Sequence, residues 1–483
     1  MRPERTSTGS SFRFASAHDT LADYFRATDL FARLTEALGA PHVLVGEAIS
    51  DDYAHDEALS AEWHLPDVVV RPSSAGEVAA VVRIAAESGV PVTARGSGTG
   101  LSGACIPRQG GILVSFERMA AILEIDTSNH VAVVQPGVTL DVLDKETALH
   151  GLVYPVFPGE NSASLGGNVA TNAGGMRAVK YGVTRHQVLG VEAVLGTGEI
   201  IRCGGKFVKA TTGYDLTQLI TGSEGTLAIV TEAILRLYPR PAFSATVLAP
   251  FASMEGITGA VPAIVGSGVG PMILEYIDLV SMVGITKNAG LDLGIPDTVK
   301  AAALAYLVVV VEARTAERLD EDVADVAAVL ADREALDVYV LPPGAGTALI
   351  EAREKAFWTA KASGANDIID VVVPRASIAV YLDTVSSLAS ASSSFIVGCG
   401  HAGDGNVHFS VFQADDAVRS QVLHDIFSAG MDLGGAISGE HGIGSEKKHH
   451  YLSLEDPAKV ALLRRIKSAF DPAGILNPGA IFD

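Results

Sequence analysis

The chain has 483 residues, 48% of them hydrophobic but only 6% aromatic, and a formal charge of -21 at pH 7. That length calls for two or three domains, each able to bury a core. The acidic balance argues against nucleic acid as a partner, because nothing here would release the counterions that drive such binding.

The N-terminal stretch MRPERTSTGSSFRFASAHDTLADYF has no long apolar core and does not read as a secretory signal. Residues 1–30 are expected to form a mobile N-terminus. From Asp67 the pattern is strand DVVVRP, helix SAGEVAAVVRIAAESG behind a capping Ser and Glu, then strand VPVTARG: a β-α-β unit. Between Gly96 and Gly225 glycine is bunched in GSGTGLSG, PGENSASLGGNVATNAGG and TGSEGT. Bunched glycine lets backbone approach something bulky or polyanionic. The first of these loops follows a strand, and its N–H groups could cradle phosphates. It is not a Rossmann fingerprint, since no helical periodicity follows and Pro107 intervenes, and it lacks the Gly-Lys-Ser/Thr of a Walker loop. Taken alone, it also fits a plain glycine turn.

Pro239 and Pro241 bracket a linker. Beyond it come strand FSATVLAP, helix MEGITGAVPAIVG, strand PMILEYI and strand AYLVVVVEA, then helix TAERLDEDVADVAAVLA and strand DVYVLP. Helix TALIEAREKAFWTAKA, strand IIDVVVP, helix RASIAVYLDTVSSLASA and strand SFIVGCGH follow. Some neighbouring strands lack an intervening helix, so the sheet is expected to be mixed or antiparallel with helices on one face. The most apolar run, Ala301 to Ala313, is too short to cross a bilayer and reads as a helix end entering a buried strand. The tail PAKVALLRRIKSAFDPAGILNPGAIFD is one amphipathic helix with a Gly/Pro-rich end. Cys105, Cys203 and Cys399 are far apart and none lies in a C-x-x-C. A disulfide framework and an iron-sulfur cluster are therefore disfavoured, and a reducing compartment is expected.

The segment FIVGCGHAGDGNVHFSVF alternates as two strands joined at AGDG. Antiparallel pairing would bring His401 and His408 to one end of a hairpin, close enough to share an ion. GAISGEHGIGSEKK then supplies Glu440 and His441 on a glycine-flanked loop, where adjacent side chains point opposite ways. Two histidines and a carboxylate make a three-ligand site with open positions, suited to Zn, Fe or Mn. Against this, a histidine in a Gly-rich loop is often only a hydrogen-bonding turn residue. Asp404, between glycines, reads as turn chemistry. EKKHHY and LLRRIK read as solvated basic faces, with His449 and His450 on the surface.

Together the three glycine segments, HAGDGNVH and GEHGIG resemble the flavoproteins of the vanillyl-alcohol oxidase and p-cresol methylhydroxylase superfamily, over nearly the whole chain from about Pro66. The branch they are most similar to is that of the FAD-linked D-2-hydroxyacid dehydrogenases, such as D-lactate dehydrogenase and the glycolate oxidase flavin subunit. The resemblance implies an α+β fold. A two-part FAD-binding domain of the p-cresol methylhydroxylase (PCMH) type would span residues 31–240. A substrate or cap domain with a mixed or antiparallel sheet would follow over 241–435, and a C-terminal helical segment over 436–483 would return to the flavin. FAD contacts are expected at Gly96, Ser97, Gly98, Thr99, Gly100, Ser102, Pro158, Gly159, Ser164, Gly167, Asn168, Thr171, Asn172, Gly174, Gly175, Glu224, Ile229 and Asn477. Relatives that tether FAD carry histidine where Thr99-Gly100-Leu101 stands, so non-covalent FAD is expected.

The same resemblance implies His401, His408 and Glu440 as ligands of a divalent metal, Zn before Fe or Mn, and His441 as catalytic base. The implied reaction oxidises a small D-2-hydroxy acid to the 2-oxo acid. Arg375 resembles the arginine that follows the corresponding proline and would clamp the carboxylate; as a residue at a helix start it also fits a solvated role. Lys361 stands where relatives often carry arginine, and as a point charge it loses the guanidinium fork. An ether-forming transferase on the same scaffold and a non-catalytic flavin relay are the alternatives. No nicotinamide fingerprint is present, so electrons would pass from FAD to an outside acceptor: a quinone, a cytochrome, a flavoprotein or an iron-sulfur partner. A cytoplasmic protein without a transmembrane segment, able to sit at a membrane through that partner, and a homodimer are the remaining expectations.

Overall fold

The computed structural model describes residues 21–482. Helix α1 (Leu21–Leu38) precedes strand β1 (Val43–Val45), so residues 21–30, expected in a mobile N-terminus, are helical; residues 1–20 lie outside the described part of the chain. The β-α-β unit follows as β2 (Val68–Val70), α2 (Ala75–Ser88) and β3 (Val92–Arg95). Ser74 caps α2 by accepting from Glu77 N, and Glu77 reaches back to Ser73 N. Strand β4 (Ile112–Ser115) inserts between β2 and β3, in parallel with both, which gives the order β1-β2-β4-β3. Strands β2 and β4 are buried on both faces, as continuous valine and isoleucine runs require.

A second sheet contains β5 (Ile122–Asp126), β6 (Val131–Val134), β7 (Val188–Leu195), β8 (Ile200–Gly204) and β9 (Ala228–Arg236), in the order β5-β6-β9-β7-β8 and antiparallel throughout. Between β6 and β7, helix α3 (Leu165–Thr171) starts at Ser164, whose hydroxyl accepts Gly167 N. The loop joining β3 to β4 and the start of α3 face each other across the two sheets: Ser97 Oγ donates to Ser162 O at 2.6 Å.

Beyond Tyr238 and Pro239, which pair with Val153 and Leu152, the strands are β10 (Phe243–Phe251), β11 (Ile273–Asp278), β12 (Ala305–Ala313), β13 (Tyr339–Val340), β14 (Asp367–Val372), β15 (Phe395–His401) and β16 (Asn406–Phe412). They form one antiparallel sheet in the order β13-β10-β12-β11-β15-β16-β14. Helices α4 (Met254–Gly266) and α5 (Leu279–Ala289) flank β11 in the chain. Two details differ from the sequence reading. Helix α5, capped by Asp278, and a short helix at Asp297–Ala302 separate β11 from β12, where two successive strands were expected; the strands still pair antiparallel. The single helix expected over TALIEAREKAFWTAKA breaks at Lys355 into α6 (Pro343–Glu354) and α7 (Ala356–Ala362).

The chain then returns to its beginning. Helix α8 (Pro457–Phe470) ends at Asp471, whose buried carboxylate pairs with Lys467 and accepts from Ile475 N and Leu476 N. Leu476 bridges Val92 of β3 in parallel and is fully buried in the core of the first sheet. Leu476→Ala is expected to lower stability by about 3 kcal/mol, the usual scale for a leucine deleted from a core. Thermal unfolding of the FAD-loaded protein checks this, and an unchanged Tm would show that the C-terminal segment does not hold the first sheet together.

Candidate active site

Two cavities meet in the cleft between the glycine-rich half and the seven-stranded sheet. The smaller, about 160 Å³, is lined by Gly96, Ser97, Gly98, Thr99, Gly100, Pro158, Ser164, Gly167, Asn168, Thr171, Gly174 and Glu224 among the expected FAD contacts. Asp56, Cys105 and Glu160 line it too and were not anticipated. Gly159 and Gly175 line the larger cavity, and Ile229 lines a small pocket behind the loop. Ser102, Asn172 and Asn477 line none of these spaces: the Ser102 hydroxyl is buried without a partner, and the two amide side chains serve the backbone. Ser102 O accepts Ser445 N, Asn172 Oδ1 accepts Arg185 N, and Asn477 Nδ2 donates to Ala104 O and Glu224 O.

The cradle suits a large polar cofactor. Asn168 Nδ2 is buried without a partner, the kind of orphan donor that a bound polar group takes up. Gly98 has φ +75° and a Cβ there would strike the Arg95 guanidinium, so the loop conformation needs glycine. At Gly174 a Cβ would lie 2.6 Å from Glu440 Oε2; the missing side chain lets the cofactor cradle touch the chemical loop.

In the hairpin, His401 pairs with Asn406 and Cys399 with His408, so the two histidines are diagonal neighbours on one face. Their Nε2 atoms are 3.1 Å apart, and Glu440 Oε1 lies 3.3 Å from the first and 3.2 Å from the second. A triangle of that size fits three donors each about 2.0–2.2 Å from one ion. His401 Nδ1 is 2.5 Å from Glu275 Oε1, the carboxylate partner that commonly fixes a metal-binding imidazole. Burial opposes charge on His401, yet Glu275 and Glu440 hold its pKa well above the usual histidine value; against burial, the histidines hold Glu440 well below the usual carboxylate range. Asp404 accepts Asn406 N in the turn and stands outside the ligand triangle.

His441 lines both cavities. Burial lowers its pKa to about 4 despite the opposing pull of Asp370, whose Oδ1 is 3.1 Å from His441 Nδ1. Asp370 is wholly buried and its Oδ2 accepts the backbone N–H groups of Gly439, Glu440 and His441 at 2.8, 2.7 and 3.1 Å. Its charge is balanced by Lys447 Nζ, which is buried and bonded to it. Lys447 is therefore no solvated face, and His450 is buried rather than on the surface; burial drops its pKa to about 3. His449 is exposed as expected. Glu224 ties the same loop to the glycine-rich half, accepting Ile443 N and Gly444 N at 2.7 Å each, and burial raises its pKa to about 6.

The two cations expected to hold substrate are not at the cavity. Arg375 follows Pro374, where the chain turns outward, and its side chain is exposed. Lys361 is on α7 with Nζ 2.6 Å from Glu57 Oε2, outside the lining. The guanidinium that does line it belongs to Arg353, at the end of α6, and is buried. Its Nη2 is ion-paired with Glu275 Oε2 at 2.8 Å, while Nε is buried without a partner, which leaves a donor for an anion. Sequence reading missed Arg353, Glu275 and Asp370. The available signal was an acid in the middle of an apolar strand, ILEYI and IIDVV, where charge is tolerated only with a partner.

Residues 66–204 match the family model of an FAD binding domain, and residues 240–481 that of the FAD linked oxidases, C-terminal domain. The chain is 56% identical to an FAD-linked oxidoreductase of Mycobacterium tuberculosis over 94% of its own length and 99% of that protein's. It is 35% identical to a D-lactate dehydrogenase of Anaerostipes hadrus, over 95% and 98% of the two chains. Among solved structures, p-cresol methylhydroxylase with substrate bound superposes with a TM-score of 0.76 at 19% identity, over 95% and 97% of the chains, a likeness of fold. With both halves matched and the cradle between them, the chain belongs to the FAD-linked oxidases, as an FAD-dependent oxidoreductase with a PCMH-type FAD-binding domain.

Proposed function

We propose that the protein oxidises a D-2-hydroxy acid to the 2-oxo acid. The observation that carries this reading is the meeting of three functions on one cavity: a metal-sized triangle of donors, a buried guanidinium, and a neutral histidine that also faces the cofactor cradle. The name of the Anaerostipes relative supports the same substrate class.

The cradle lined by Gly98, Ser164 and Asn168 would hold FAD, whose chemistry would supply the hydride acceptor for the Cα–H bond. His401, His408 and Glu440 would hold a divalent ion, Zn before Fe or Mn, which supplies positive charge to acidify the hydroxyl. Arg353 offers its unpartnered Nε to the carboxylate, which with the ion on the hydroxyl makes a two-point contact that fixes the face of Cα presented to the cradle. Glu275 braces Arg353 with one oxygen and His401 with the other, so anion grip and metal ligand are set together. The Asp370 carboxylate, 3.1 Å from His441 Nδ1 without hydrogen-bond geometry, draws the proton to that nitrogen by charge alone, leaving Nε2 to take the hydroxyl proton as the C–O bond becomes C=O. Lys447 keeps Asp370 ionised while this happens. Electrons then leave for an acceptor outside the chain.

A panel of D- and L-2-hydroxy acids with an artificial dye acceptor tests the reading; no turnover by FAD-loaded, metal-replete protein would refute it. His441→Ala is expected to cut kcat by about 10²–10⁴-fold while FAD absorbance stays stoichiometric, and full activity in that variant would remove His441 as the base. His408→Ala, or exhaustive chelation, should abolish bound metal by mass spectrometry together with turnover; activity indifferent to metal content would overturn the metal assignment. For Arg353→Ala, losing a charge-assisted hydrogen bond together with the buried positive charge is expected to lower kcat/KM by roughly 100-fold, with some of the loss restored in Arg353→Lys. An effect no larger in Arg353→Ala than in Arg375→Ala would move the carboxylate contact elsewhere.

A further inference from the structure

The larger cavity encloses about 500 Å³; its inner part, lined by Pro158, Gly159 and Gly175, is shared with the FAD cradle, and beyond the donor triangle it continues outward as a groove. Its floor is one face of the sheet, and the pairing register gives that face an order. Asn406 stands opposite His401, then His408 opposite Cys399, Ser410 opposite Val397, and Phe412 opposite Phe395. Ile368 of β14 extends the third of these rows beside Ser410. Moving from the donor triangle, the face thus changes from ligating groups, through a row in which Ser410 lies between Val397 and Ile368, to aromatic side chains, over six residues or about 20 Å at the usual strand rise.

The opposite wall is formed by α5 and α7, with Ile285, Gly284 and Val280 from one and Phe357 and Ala360 from the other. Gly284 keeps this groove wide: a Cβ built there would meet only Thr359 Cγ2, at 4.0 Å. At the far end Phe395 and Val280 are 53% and 51% exposed, so the groove opens to solvent through apolar residues. The outer rows of the sheet face carry no charged side chain, and among the described lining residues Glu354, next to Arg353 in the chain, is the charged one not in the ligand, base or anion-gripping set. No lysine among the described residues lines the groove, and Lys361 is turned to Glu57.

We infer that the acid has an extended apolar tail, an alkyl or aryl chain that lies along the β15–β16 face, with the carboxylate at Arg353 and the tail end at Phe395 and Phe412. This rests on the hydroxy-acid reading and narrows it: neither a compact acid nor a second carboxylate suits an uncharged outer groove.

The test compares D-lactate, D-2-hydroxybutyrate, D-2-hydroxyoctanoate and D-2-hydroxyglutarate as substrates of the FAD-loaded, metal-replete protein. Each buried methylene should raise kcat/KM by up to about fourfold, so the octanoate is expected to exceed lactate by roughly 100-fold or more. Gly284→Leu, which fills the groove between α5 and α7, should reduce the octanoate-to-lactate ratio at least tenfold, and the milder Phe395→Ala should reduce it in the same direction; FAD content and Tm verify that each variant is folded. In parallel, 2-oxooctanoate should perturb the absorbance of the oxidised flavin at lower concentration than pyruvate does. A flat profile, or a preference for lactate or for the dicarboxylate, would overturn the tail assignment while leaving the hydroxy-acid reading standing. Turnover of none of the acids would remove both.

Discussion

A single buried carboxylate, Asp370, organises the chemical loop. Its two oxygens collect three backbone amides, the Ser438 hydroxyl, the Lys447 ammonium and the His441 ring. Placing a charge in a strand centre is costly unless it is paired and fully hydrogen-bonded, and here those conditions also fix the loop that carries Glu440 and His441. Removal of Asp370 would free the ligand and the base at once, because both are positioned through backbone atoms bound to it.

Glu275 has the matching role on the other side of the hairpin. It lies between Arg353 and His401, and these two partners hold its pKa below the usual carboxylate range despite the burial that pushes it up. The sheet therefore contains two buried acids, in β11 and β14, each binding a separate portion of the site against the β15–β16 hairpin between them. Contacts to the glycine-rich half close the arrangement: Glu224 receives the Ile443 and Gly444 amides, and Gly174 abuts Glu440. Cofactor cradle and chemical loop are in this way built against each other.

The apolar groove follows from the same sheet. A β-strand shows alternate residues on one face, so the stretch FIVGCGH that sets His401 at the donor triangle also sets Val397 and Phe395 on the same side, further out. Metal chemistry and tail recognition are two ends of one register. The helical wall supplies width through Gly284 and hydrophobic cover through Ile285 and Phe357.

Much of this was legible in the sequence where the signal was local. Glycine bunching located the cradle, period-two alternation placed His401 and His408 on a hairpin, and the Ser-capped pattern from Ser74 gave the β-α-β unit, because turns, strands and caps are set by neighbouring residues. Arg353, Glu275 and Asp370 were not legible as a site, nor were the burial of Lys447 and His450 or the outward turn of Arg375. Each of these depends on which distant strand lies beside it: Glu275 meets His401 across 126 residues of chain, and Lys447 meets Asp370 across 77. The sequence by itself determined the chemical groups and their local geometry. Only the tertiary structure decided which charges are desolvated together, because burial and charge pairing are properties of the packed sheet and of no single segment.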